Sequence, residues 1–136
     1  MLVSLIPPEH VVDMWPKVRP HLRKAAGYTY GRFDVEDILD QILQYDHVLW
    51  VAFDESGVKG AVVTTISHYP KLQALNMVFT GGEELDKWKE PMLELLRRFA
   101  KAKGCEIIES TGRPGWAKIF SGDGHKLMWH TYTLPI

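Results

Sequence analysis

The chain has one cysteine, Cys105, in 136 residues, so no intrachain disulfide can staple it and no set of thiolates can hold a metal. The six histidines, at 10, 21, 47, 68, 125 and 130, show no H-x-x-x-H spacing, and a zinc site is not expected. Long apolar runs are also missing. Nothing approaches the ~18 residues of a membrane span, and the opening MLVSLIPPEH lacks the basic and apolar segments of a secretory leader. These absences predict a cytoplasmic protein with no membrane partner. Charge of one sign is lacking too: 16 Lys+Arg stand against 17 Asp+Glu, a net charge of -1, which gives no broad attraction for nucleic acid. A nucleic-acid partner would require the basic residues at 97–103 to merge with Lys17, Arg19, Arg23 and Lys24 into one patch.

What is present is the material of one domain spanning 1–136. With 46% hydrophobic and 24% charged residues the chain can build a real core, and at this length roughly two-thirds of the unfolded surface is buried on folding. LVSLI at 2–6 reads as a strand ended by Pro7 and Pro8. Val11, Val12, Trp15, Val18 and Leu22 then recur at helical spacing. Pro16 and Pro20 interrupt them, which predicts a kinked helix or two short ones over 9–26. GYTYG at 27–31 is a loop, and Asp34 is placed to cap a second helix whose apolar stripe is Ile38, Leu39, Ile42 and Leu43.

VLWVAF at 48–53 and KGAVVTTI at 59–66 flank a Ser56-Gly57 turn and form the clearest hairpin. A third apolar run, LQALNMVF at 72–79, stops at Gly81-Gly82 and completes an antiparallel meander. Leu85, Trp88, Met92, Leu95, Leu96 and Phe99 keep helical spacing up to a Gly104 C-cap. Because proline belongs in a first turn, Pro91 predicts that the regular helix begins near Glu90. CEIIES at 105–110 is a strand, WAKIF at 116–120 a short helix after the GRPG turn, and KLMWHTYTL at 126–134 a terminal strand. Cys105, at the start of its strand, reads as a packed thiol, because no neighbour activates it.

This order, β-α-α-β-β-β-α-β-α-β over essentially the whole chain, resembles the GNAT (N-acetyltransferase-like) superfamily. VLWVAFDESGVKGAVVT, the YP at 69–70, the GG at 81–82 and the GRPGW at 112–116 are similar to a small GNAT-like group of tailed phages and prophages. The resemblance implies an α/β (α+β) fold, with a mixed, mostly antiparallel sheet of about six strands and helices on both faces. It implies acetyl-CoA, and no metal, lying where strands 72–79 and 105–110 splay apart, with the pyrophosphate at the start of the long helix. Val78 and Phe79 would then offer backbone donors to the thioester, and Tyr28, Tyr30 and Phe33, between the first two helices, would meet the acceptor amine or simply pack as a loop hinge.

The family's phosphate signature, R/Q-x-x-G-x-G/A, aligns with ELDKWK at 84–89, so Lys87 and Lys89 replace both glycines. Lys87, Trp88 and Lys89 are the candidate contacts there, as point charges and a ring, or else they form a plain solvated helix start. Gly81 and Gly82 offer an alternative close approach. Glu83, Glu84, Asp86 and Glu90 leave an acidic excess at this place. The family's tyrosine acid aligns with Phe120, which has no proton to give, and the adjacent Ser121 is the substitute. Candidate bases are Glu109 and His68, each otherwise a strand-end polar residue. Two functions follow from the resemblance. One is an acyl-CoA-dependent N-acetyltransferase acting on a small-molecule or protein amine. The other is an inactive GNAT-shaped binding or structural module, of phage origin, whose partner is a virion or host protein.

Overall fold

A computed structural model describes residues 1–112, 126 and 131–136. Strand β1 (Leu2–Ile6) leads through a single 3-10 turn at Pro8–His10 into helix α1 (Val11–Gly27), followed by α2 (Val35–Gln44). Strands β2 (Val48–Asp54), β3 (Gly57–His68) and β4 (Gln73–Gly82) form the meander. Helix α3 (Leu85–Ala102) then crosses over to β5 (Ile107–Ser110). The sheet has the order β1-β2-β3-β4-β5, antiparallel throughout except for the parallel β4–β5 pair that the α3 crossover requires. Its five described strands are mixed and mostly antiparallel, as expected. The expected short helix at 116–120 lies outside the described residues, as does most of the expected last strand, while 131–134 carry no strand.

Two cores sandwich the sheet. Strand alternation sends Leu49, Val51, Ala61 and Val63 to one face, where they meet Val11, Trp15, Val18 and Leu22 of α1 and Ile38 and Ile42 of α2. Trp50, Ala52, Val62, Leu75 and Met77 go to the other face, against Trp88, Met92, Leu93 and Leu96 of α3. The indole N–H of Trp50 donates to the hydroxyl of the fully buried Thr64 at 2.9 Å, so the one polar side chain among the buried described residues is satisfied. Helices α1 and α3 pack on opposite faces of the sheet.

Three helix expectations need correction or refinement. Helix α1 is one continuous element that carries Pro16 and Pro20, so of the two expected forms, a kinked helix or two short ones, the second does not hold. Both prolines are exposed, and the carbonyls deprived of a donor belong to Val12 and Pro16, also exposed, where water can serve them. Helix α3 begins at Leu85, not near Glu90, and carries Pro91 inside it. Trp88 and Met92, each 1% exposed, flank that proline, and their burial offsets the ~3 kcal/mol cost of the lost bond. Asp34 caps α2 as expected, in a reciprocal box: Asp37 N–H donates to Asp34 Oδ1 at 3.0 Å, and Asp34 N–H to Asp37 Oδ2 at 2.9 Å. In the α2 stripe, however, Leu43 is exposed, because Val35, Ile38 and Ile42 already fill the contact with α1.

Candidate active site

Strands β4 and β5 pair only from Ala74↔Ile107 to Met77↔Ser110, with one further bond from Thr111 N–H to the Met77 carbonyl at 3.1 Å. Beyond Met77, β4 continues to Gly82 along β3 alone among the described residues. The described β4–β5 pairing therefore ends at Met77, one residue before Val78.

The end of that pairing lies beside a bulge. In the β3–β4 register Thr64 faces Met77 and Val63 faces Phe79, so Val78 is the extra residue. The bulge breaks the alternation of faces: Leu75 and Met77 point into the α3 core, whereas Val78 and Phe79 both pack toward α1 and α2. It thus takes Val78, one of the two expected donor positions, out of the β3–β4 ladder, while Phe79 stays paired with Val63, next to where the described β4–β5 pairing ends.

Of the expected acceptor and base positions, Phe33 contacts β4 beside Val78. The Phe33 ring, from the loop between α1 and α2, meets Phe79 edge-on with centroids 5.3 Å apart. That loop is held by Thr29, whose hydroxyl accepts from Phe33 N–H at 3.0 Å and donates to the Ala26 carbonyl at 2.7 Å. Tyr28 and Tyr30 are 52% and 81% exposed, and Tyr30 sits in the left-handed region at φ 55. Glu109 lies opposite Asn76, one pair before the described pairing ends, and two residues of strand, ~7 Å, short of Val78. Its Oε2 accepts the Tyr69 hydroxyl at 2.8 Å.

Other expected positions are placed elsewhere. His68 pairs with Gln73, the first residue of β4, and is thus ~20 Å of strand away from Phe79, at the far end of the sheet. It does not join the site. Ser121 and Phe120 lie outside the described residues, as do Arg113 and Trp116.

At the start of α3 the geometry is less open than the sequence suggests. Met77, Thr80, Leu85, Trp88, Lys89, Met92 and Leu93 line a small apolar notch between β4 and α3. Trp88 is buried as part of the core: its indole packs over Gly60, and its Nε1 donates to the Glu83 carbonyl at 2.9 Å. Gly81 and Gly82 serve close packing. A Cβ on Gly81 would meet the His21 backbone of α1, and one on Gly82 would meet the Lys59 and Gly60 backbone. Glu84, the N-cap of α3, is left-handed at φ 56 and makes no side-chain cap. Its carboxylate instead takes Lys87 Nζ at 2.6 Å and Lys59 Nζ at 3.7 Å, while Lys59 also reaches Glu83 at 3.5 Å. The Lys87 hydrogen bond holds the Glu84 carboxyl below the usual carboxylate range, and Glu84 in turn raises the Lys87 ammonium. A carboxyl lowered in this way keeps its pairing above the ordinary carboxylate range and loses it only as pH falls through the lowered value. Near neutrality Lys87 is therefore already occupied.

Lys59 was not singled out by the sequence. It is the extra residue of a second bulge, opposite Ala52 and Phe53, and this directs its amine at the α3 start. Burial pushes the Cys105 thiol up, in keeping with a packed rather than a reactive cysteine. No group of acidic, histidine or cysteine side chains suited to a metal occurs among the described residues. No described helix is long and apolar enough to cross a membrane.

No protein-family model matches the chain, and no curated protein matches it in sequence. Solved structures do match over its full length. An aminoglycoside acetyltransferase from an uncultured soil metagenomic sample superposes with TM-score 0.72 at 13% identity, covering 99% of this chain and 97% of that one. The ribosomal-protein-alanine N-acetyltransferase of Brucella melitensis biovar Abortus 2308 gives 0.68 at 13% identity, with 100% of both chains covered. An aminoglycoside N-acetyltransferase in complex with CoA gives 0.69 at 16% identity, covering 99% of this chain and 93% of that one. Element order, the parallel β4–β5 pair and these superpositions together establish the fold of this chain as that of the GNAT acetyltransferases.

Proposed function

We propose that the chain is an acyl-CoA-dependent N-acetyltransferase, with the thioester of acetyl-CoA held where β4 and β5 separate. The observation that carries this reading is that the described β4–β5 pairing ends beside the Val78 bulge. Backbone amides at Val78 and Phe79 supply donors to the thioester oxygen, whose negative charge grows as the amine adds. Glu109 is the base. It takes a proton from the acceptor amine, directly or through one water, as the nitrogen bonds to the carbonyl carbon. The carbon–sulfur bond then breaks and CoA leaves as a thiolate. The exposed rings of Tyr28 and Tyr30, with Phe33 behind them, form the acceptor side. The acceptor is an amine on a small molecule or on a protein. The test is release of free CoA thiol from acetyl-CoA in the presence of a peptide N-terminal amine or an aminoglycoside, which the reading expects for at least one of them. No release with either class contradicts it.

The start of α3 favours a second reading, a GNAT-shaped binding or structural module, with a virion or host protein as its partner. The Glu83–Glu84–Lys59–Lys87 network puts carboxylates at the helix start where the resemblance would put the pyrophosphate, and it engages Lys87, one of the two lysines expected to hold it. The two readings differ in what Glu84→Gln does. In the acetyltransferase, removing that charge releases Lys59 and Lys87 toward phosphate and tightens CoA about fivefold in titration calorimetry, the effect of ~1 kcal/mol of relieved repulsion. In the binding module neither the parent nor the variant binds CoA.

A further inference from the structure

We propose that Tyr69 is a positioning residue for Glu109, fixing its carboxylate on β5 one pair before the described β4–β5 pairing ends, so that one oxygen remains directed to the acceptor amine. This inference rests on the acetyltransferase reading. Tyr69 and Glu109 are 40 residues apart in sequence and belong to different parts of the sheet, the β3–β4 turn and β5. The turn is held by the Tyr69 N–H donating to the Leu72 carbonyl at 2.9 Å, which fixes where the ring starts. From there the ring runs along the sheet and its hydroxyl donates to Glu109 Oε2 at 2.8 Å.

The bond is exposed, and exposed polar bonds of this kind contribute little to stability, so folding gives no strong reason for it. Its effect is on a side chain with three free torsions. Engaging Oε2 restricts them and leaves Oε1 to accept a proton, which shortens the search for a reactive geometry. The backbone beneath is braced as well. Thr111 donates its hydroxyl to Asn76 Oδ1 at 3.2 Å and its N–H to the Met77 carbonyl, so the end of β5 that carries Glu109 cannot slide along β4. The bond to Glu109 also raises the Tyr69 phenol above its ordinary range, which keeps it a donor throughout the pH range in which an amine is acetylated.

The experiment compares the parent protein, Tyr69→Phe, Glu109→Ala and the double variant in acetyl transfer, with phenol ionisation followed by NMR of the tyrosine ring carbons. Tyr69→Phe removes only the hydroxyl. It is expected to lower kcat about tenfold with the KM for acetyl-CoA unchanged, and to cause no further loss in the Glu109→Ala background. The Tyr69 phenol should ionise at lower pH in Glu109→Ala than in the parent. Unchanged kcat in Tyr69→Phe, or a loss that multiplies with that of Glu109→Ala, overturns the positioning role and leaves the acetyltransferase reading standing. A parent protein that transfers acetyl to no amine overturns both, and that failure is seen before any variant is made.

Discussion

Glu109→Gln is expected to lower kcat for acetyl transfer by about 100-fold or more while leaving the thermal midpoint and the KM for acetyl-CoA near their parental values. The substitution keeps the shape of the side chain and an oxygen to accept the Tyr69 hydroxyl, so the site keeps its arrangement and loses only its basicity. Glu109 lies on the α1/α2 face opposite Asn76, away from the α3 notch, so CoA affinity should not follow it. Because its bond to Tyr69 is exposed, stability should not follow it either. Steady-state kinetics beside a thermal melt separates these effects. A variant that keeps a third or more of the parental rate shows that the proton goes elsewhere.

Gly81→Ala is expected to cost about 3 kcal/mol of stability, at the upper end for small-to-large changes in a packed interior. An added Cβ would run into the His21 carbonyl oxygen and lie 2.9 Å from its carbon. Both are backbone atoms in the middle of α1 and cannot rotate away, so the helix must lift from the sheet and loosen Val18 and Leu22, which are fully buried. Gly27→Ala is the control. Nothing lies within 4 Å of its would-be Cβ, and its φ is not positive, so its urea midpoint should stay close to that of the parent. Gly81 thus fixes how closely α1 approaches β4, and with it the position of the loop that brings Phe33 to Phe79. A Gly81→Ala protein with the parental midpoint would mean that α1 is not seated as described.

The parts of this fold that were legible in the sequence are those set by local chemistry. Asp34 was readable as a cap because a short carboxylate before an apolar stripe has one natural use, and the structure completes it with Asp37. The hairpin was readable from two apolar runs around Ser56-Gly57. The prolines misled because the cost of proline depends on what surrounds it. At Pro16 and Pro20 the orphaned carbonyls face water, and at Pro91 the burial of Trp88 and Met92 outweighs the lost bond. Neither circumstance is visible before the faces of the helix are known.

The site divides in the same way. Val78, Phe79 and Glu109 were reached by following strand ends; the structure places Val78 at a bulge just past the described β4–β5 pairing and Glu109 opposite Asn76, two residues before that bulge. His68 was chosen by the same rule and lies at the wrong end, because a strand has two ends and the sequence does not say which one opens. The bulge that makes Val78 an extra residue depends on the register with β3, and the Tyr69 to Glu109 bond joins residues 40 apart. Both arise from long-range pairing, which leaves no local pattern. Lys59 escaped for the same reason: only a bulge opposite Ala52 and Phe53 turns it toward Glu83 and Glu84.

The most direct test of the account is a thermal melt of the parent protein with and without millimolar acetyl-CoA. If the thioester nucleotide lodges between the separated ends of β4 and β5, ligand at a hundred times its dissociation constant stabilises the native state by ~2.7 kcal/mol, a rise of roughly 8 °C for a chain of this size. An unchanged midpoint at millimolar acetyl-CoA would contradict the assignment of this opening to acyl-CoA.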